Sequence, residues 1–225
     1  MEGICYNFSM KERYYQSDTI EALASHWLEL FASPRKNHLQ PFQIGKAALL
    51  ILDMQAYFLD PDSHAYIPSG DAILPNLIRA IDLFRRADRP VLATRHANSV
   101  KDAGRMEDWW SELLTGDHPL GGLHPDLNIQ PEEIILKPQY DAFYQSDLEH
   151  RLKEAKIEQL VVGGVMAHLC CETTARSAFV RGYEVFFLID GTATYTEDYH
   201  IGTLRNLAHG FAVLTTVKDI LGEKG

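Results

Sequence analysis

The apolar residues of this chain are gathered into short, unbroken runs, and that grouping restricts the fold more than any other property of the sequence. The runs fall at Ala47–Asp53, Pro90–Arg95, Ile134–Lys137, Gln159–Gly164, Val185–Asp190 and Ala212–Thr216. A strand with one wet face alternates apolar and polar residues, whereas a continuous run suits a parallel strand covered by helices on both faces. Amphipathic stretches separate the runs, so an α/β domain with a parallel sheet is expected. Asp71–Ala87 reads as a helix capped by its aspartate, with Ile73, Leu77, Ile81 and Phe84 on one face. Ser146–Lys156 opens with a serine three positions before Glu149, the pattern of a capping box. Cys170–Arg181 and Tyr199–His209 are followed by Gly182 and Gly210, residues that end helices.

A chain of 225 residues, 46% hydrophobic, holds one sizeable core and is short for two. The reading is a single domain over residues 45–225 preceded by a helical extension over 1–44. In that extension Asp18–Phe31 carries Ile20, Leu23, Ala24, Trp27 and Phe31 at helical spacing. Such a stripe must cover something, and a subunit interface or the domain edge is expected, with Pro34–Pro41 as the link to the sheet. No run approaches the roughly 20 apolar residues of a membrane span, and the start lacks the pattern of a secretory signal, so a cytoplasmic location is expected. A net charge of −10 without a basic cluster argues against nucleic acid or an anionic membrane as partner. The cysteine count is 3, with Cys170 and Cys171 adjacent and Cys5 remote, which points to reduced thiols.

The fourth run ends in Gly163-Gly164, then a short corner leads to Cys170 and Cys171 where a helix would begin. A thiol there feels the positive end of the helix dipole, which favours the thiolate. In open parallel sheets ligands bind at the carboxyl ends of the strands. Asp53 closes the first run, Lys137 closes the third and Cys170 follows the fourth, so a carboxylate, an ammonium and a thiol meet in one expected cleft.

The blocks Asp53-Met54-Gln55-Ala56-Tyr57-Phe58, Lys137-Pro138-Gln139-Tyr140-Asp141-Ala142-Phe143 and Gly164-Val165-Met166-Ala167-His168-Leu169-Cys170 resemble the signature blocks of the isochorismatase-like cysteine hydrolases. The resemblance runs in order from about residue 45 and includes Gly182-Tyr183 and Asp190-Gly191-Thr192-Ala193. It implies a Rossmann-like three-layer αβα sandwich with a six-stranded, mainly parallel sheet. It also implies a catalytic triad of Asp53, Lys137 and Cys170, with Cys170 rather than Cys171 as nucleophile. A cis peptide is implied at Val165–Met166, turning backbone N–H groups of Met166 or Ala167, with that of Cys170, into an oxyanion hole. The same blocks imply substrate contacts from Phe58, His96, Tyr140, Phe143 and His168. Trp109 and Trp110 are read as opening a helix after the second run, Trp110 being taken as the aromatic lid.

Two departures narrow the expected chemistry. Nicotinamidases of this family carry an Asp-x-His metal motif after the second strand, but this chain has Thr94-Arg95-His96 there. His118, His124 and Asp126 show no familiar ligand spacing, so neither metal nor other cofactor is expected. True isochorismatases share the Gly164-Val165-x-Ala167-His168 wording but typically have glycine at the nucleophile position, where this chain has Cys170. The leading expectation is a metal-independent cysteine hydrolase that cleaves a C–N bond of a small amide or carbamoyl compound through a thioester. The alternatives are vinyl ether hydrolysis with Asp53 as acid, and a binding or scaffold protein without turnover. A homo-oligomer, dimer or tetramer, is expected by analogy with the family.

Overall fold

The computed structural model describes residues 11–31, 40–110 and 112–223. Cys5 and most of the expected Pro34–Pro41 link lie outside them. The elements follow in the order α1 (Ile20–Leu30), β1 (Ala47–Leu52), α2 (Ala56–Leu59), α3 (Gly70–Arg86), β2 (Val91–His96), α4 (Met106–Trp109) and β3 (Ile134–Lys137). The second half contains α5 (Leu148–Glu154), β4 (Gln159–Val165), α6 (Glu172–Val180), β5 (Glu184–Ala193), α7 (Glu197–Gly210), β6 (Val213–Thr215) and α8 (Val217–Leu221).

The strands form one sheet in the order β3-β2-β1-β4-β5-β6, every pair parallel. Every residue of β1 and β4 is buried, which is why these central strands read as unbroken apolar runs. β3 lies at an edge and alternates, leaving Leu136 60% exposed. Chain direction across the sheet reverses between β1 and β4. At such a switch point the loops leaving neighbouring strands part to opposite faces, and a crevice opens at the carboxyl ends.

Helix boundaries depart from the expectations where a capping side chain is engaged elsewhere. α3 begins at Gly70, so Asp71 lies inside the first turn instead of capping it. The preceding Ser69 does not cap either: its hydroxyl accepts from Tyr15 N and donates to Glu12 O. Ser146 donates to Ala142 O, and α5 starts only at Leu148, with Glu149 turned toward Lys153 and Arg181. Gly210 remains within α7, which stops at Phe211, whereas Gly182 takes the left-handed conformation (φ +90°) expected after a helix.

α1 packs on β5 within the same chain. β5 pairs with β6 only over Phe186–Leu188, and its second half would otherwise have a bare edge. Tyr15 covers part of it, donating its hydroxyl to Ile189 O, while Trp27, Ile20 and Ala24 are buried beside it. The apolar stripe thus covers the domain edge, the second of the two positions expected for it.

Candidate active site

Each of the three reactive side chains is placed by a strand end. Asp53 follows β1 directly, in a left-handed conformation (φ +50°) that bends the chain away from the sheet. Its backbone N–H donates to Thr94 Oγ1 of β2, and the same hydroxyl donates back to Asp53 Oδ1 at 2.6 Å. Lys137 is the last residue of β3, and its long stem carries the ammonium across to β1. Cys170 comes from beyond β4, after a cis Val165–Met166 peptide and a wide helical turn over Ala167–Cys171. Gly164 makes the approach possible: it has φ +108°, and a Cβ there would lie 2.1 Å from Leu52 O of β1.

Lys137 and Asp53 are both sealed from solvent, with Lys137 Nζ 2.8 Å from Asp53 Oδ2. The ammonium also donates to Cys170 Sγ at 3.3 Å and to Gln139 O at 2.9 Å, so it is held among three partners. Burial pulls the lysine pKa down, but the Asp53 charge and Cys170 outweigh it, and Lys137 is held protonated. The thiol behaves differently from the sequence expectation of a thiolate. Burial pushes Cys170 up to about 12, Lys137 pulls against this and Asp53 adds to it, so the resting group is a neutral thiol beside a carboxylate. Oδ2 of Asp53 faces the lysine as an ion pair and has no aligned donor, which leaves it able to accept a proton from sulfur.

Cys170 opens into a cavity of about 250 Å³ whose walls include Phe58, His96, Trp110, Tyr140, Met166 and Leu169. Trp110 Nε1 donates to Tyr140 Oη at 2.8 Å, joining two of these rings. Trp109 is 78% exposed, and the two tryptophans close α4 instead of opening a helix. Phe143 and His168, expected to touch substrate, are placed elsewhere. Phe143 stacks on Tyr183 under Arg181, and His168 stacks on Tyr199 with its Nδ1 2.5 Å from Thr194 Oγ1. His96 keeps a buried Nδ1 without a hydrogen-bond partner, and burial lowers its pKa to about 4, so the ring is neutral.

The same cavity is also lined by a polar group that sequence reasoning missed. Tyr57 Oη is 2.6 Å from His64 Nε2 and donates to Glu112 Oε2, whose carboxylate also faces His64 and His118 at 3.2 and 3.5 Å. Tyr195 lines the cavity as well. Tyr57 was inside a recognised block, but His64, Glu112 and Tyr195 stand in separate loops with no spacing to connect them. Among the described residues no three His, Cys, Asp or Glu side chains are grouped to hold a metal ion. Beside the triad, the Thr94 hydroxyl is already committed to Asp53. These residues do not fit a metal beside the triad.

The family model described as the isochorismatase domain matches residues 47–219, the span that contains every strand and all three reactive residues. The chain belongs to the isochorismatase family. It is a hydrolase. It is 41% identical over 177 residues to nicotinamidase 3 of Arabidopsis thaliana, covering 75% of this chain and 83% of that protein. Enterobactin synthase component B of Escherichia coli K12 is 32% identical over 186 residues, a match to 80% of this chain and 64% of the relative. Among solved structures, a cysteine hydrolase from Pseudomonas syringae pv. phaseolicola 1448A superposes with a TM-score of 0.78 at 25% identity, covering 82% of this chain and 95% of that one.

Proposed function

We propose that this isochorismatase-family chain is a metal-independent cysteine amidohydrolase acting on a small, flat amide, with aromatic carboxamides of the nicotinamide type as the first candidates. The observation that carries the reading is the neutral Cys170 thiol set between the Asp53 carboxylate and the Lys137 ammonium at the floor of an aromatic-walled cavity. Vinyl ether hydrolysis would need only the aspartate as acid and would leave Cys170 and Lys137 without a task. The similarity to a protein named nicotinamidase supports an amide substrate.

The cycle follows from the charges. Asp53 takes the thiol proton as Sγ bonds to the amide carbon, and Lys137 stabilises the negative charge as it passes from carboxylate to sulfur. The oxyanion falls to backbone N–H groups of Met166 or Ala167 together with that of Cys170. Asp53 returns its proton to the leaving nitrogen, ammonia or an amine departs, and a thioester remains. Water then cleaves the thioester, releasing the acid and restoring the thiol. The aromatic walls orient the substrate, and the unpartnered His96 Nδ1 is placed to meet a polar atom on its ring.

Ammonia release from a panel of small carboxamides tests this. Cys170→Ala should lower kcat by about a thousandfold or more, while Cys171→Ala, whose thiol is buried away from the cavity, retains most activity. A chelator should leave the rate unchanged. Equal loss from the two cysteine variants, or abolition by chelation, would overturn the reading.

A further inference from the structure

Lys11–Leu30 lie outside the span that matches the family, yet they reach the site from two directions. We propose that this N-terminal segment is a working part of the active site: Tyr14 positions the turn that carries Cys170, and Lys11–Glu12 hold one wall of the substrate cavity. The inference rests on Cys170 being the nucleophile.

Toward the nucleophile, the connection passes through Thr194, the residue after β5. Its Oγ1 lies 2.5 Å from Nδ1 of His168, which sits in the same turn as Cys170. Its backbone N–H donates to Tyr14 Oη at 2.9 Å. Tyr14 Oη is 3.0 Å from His200 Nδ1, and His200 Nε2 is 3.1 Å from Thr192 Oγ1. Thr192 gives its hydroxyl proton to Leu188 O, so its oxygen must accept from His200 Nε2–H. A neutral imidazole has one N–H, which makes Nδ1 the acceptor of the Tyr14 hydroxyl. Burial holds His200 in that neutral form, with a pKa near 3. The order is therefore fixed, and the Tyr14 hydroxyl joins the Thr194 N–H to His200. The rings of Tyr15 and Trp27 pack on Tyr14, their centroids 4.9 and 6.1 Å away. Without the Tyr14 hydroxyl, Thr194 N–H and His200 Nδ1 lose partners together, and the simplest relief moves Thr194 and the His168 attached to it.

Toward the cavity, Lys11 Nζ donates to His64 O and stands 4.6 Å from the centroid of the Tyr195 ring. Glu12 N donates to Tyr195 O at 2.8 Å, and Tyr195 Oη donates to Ala65 O. His64, Ala65 and Tyr195 line the same cavity as Cys170. The first contacts of the segment thus brace the surface against which a substrate ring would rest.

The test uses full-length variants and two readouts: the rate at which iodoacetamide modifies Cys170, followed by peptide mass, and the steady-state constants. Tyr14→Phe should lower both the modification rate and kcat about tenfold while KM stays within about twofold, the signature of a displaced nucleophile. Thr194→Val should reproduce that loss and Thr194→Ser should restore it. Lys11→Ala should raise KM several-fold and leave Cys170 modification unchanged. Ile220→Ala, in α8 and outside this segment, serves as the packing control, losing stability while both rates hold. The positioning role is overturned if Tyr14→Phe and Thr194→Val, folded by circular dichroism, modify at the wild-type rate, or if losses follow thermal stability in all variants. An unchanged KM in Lys11→Ala overturns the wall. Should the wild-type protein hydrolyse no amide, the proposed reaction falls, and the modification rates still decide the role of Tyr14.

Discussion

Lys137 donates to Cys170 and Gln139 and pairs by charge with Asp53, and these buried ties give it a structural role beside its proposed chemical one. Removing one partner of a sealed ion pair strands the other charge, at a cost of about 3–5 kcal/mol. Lys137→Met should lower unfolding stability by that amount in urea at neutral pH, and Asp53→Asn added to it should recover much of the loss. A single variant as stable as the parent would show that the pair is not sealed. The grouping of Asp53, Lys137 and Cys170 was legible in the sequence because Asp53 and Lys137 close apolar runs and Cys170 follows the glycine corner after another, so the strands dictate where the three meet. Phe143 was misjudged for the opposite reason. It belongs to a recognised block but lies beyond the strand, where the turn at Asp141 aims it at Tyr183. Glu112 and His64 were invisible, since loops bring them together and no period in the sequence records it.

Among the elements, the junction of β1 and β4 tolerates the least change. β4 passes so close to β1 that Gly164 has no room for a side chain, with Leu52 O, N and C all within 2.8 Å of a Cβ placed there. Gly164→Ala meets backbone on one side and carries φ +108° as well, so several kcal/mol of destabilisation are expected, together with loss of Cys170 reactivity. Thermal unfolding of the variant measures it, and a Tm within a degree or two of the parent would refute the close-approach argument. Strand positions were readable to within a few residues because burial on both faces leaves an unbroken apolar signature. Caps were not: Ser69 gives its hydroxyl to Glu12 O, 57 residues away, and Ser146 turns back to Ala142 O while accepting from Leu148 N. α1 was recognised as amphipathic. Which of its two expected positions it takes was not legible, because the short reach of β6 that bares half of β5 cannot be read from Ala212–Thr216.

For the molecule as a whole, the buried His200 and the half-buried His96 and His168 weaken the fold in acid, while Asp190, raised to about 6 by burial, offsets part of that loss. Burial lowers His96 and His168 to about 4 and His200 to about 3, against about 6.5 in an unfolded chain. The folded-state values are depressed, so the unfolded chain binds protons first as pH falls. Stability from this source is complete above about pH 6.5 and is lost progressively toward pH 4, by up to about 2 kcal/mol per histidine at pH 5. Urea midpoints from pH 7.5 to 5 should trace that decline, and His168→Asn should flatten it; a midpoint independent of pH over this range would contradict the neutral rings. The sealed Asp53–Lys137 pair has a consequence of another kind. Dissolved ions screen charges only where they can approach, over about 10 Å at 0.1 M salt and about 3 Å at 1 M. Exposed pairs such as Lys46–Glu158 and Arg79–Glu223 fade under that screening, but counter-ions have no path to Lys137. Turnover of an uncharged amide should therefore hold nearly constant from dilute buffer to molar salt, making the chemical step indifferent to the ionic strength of its surroundings.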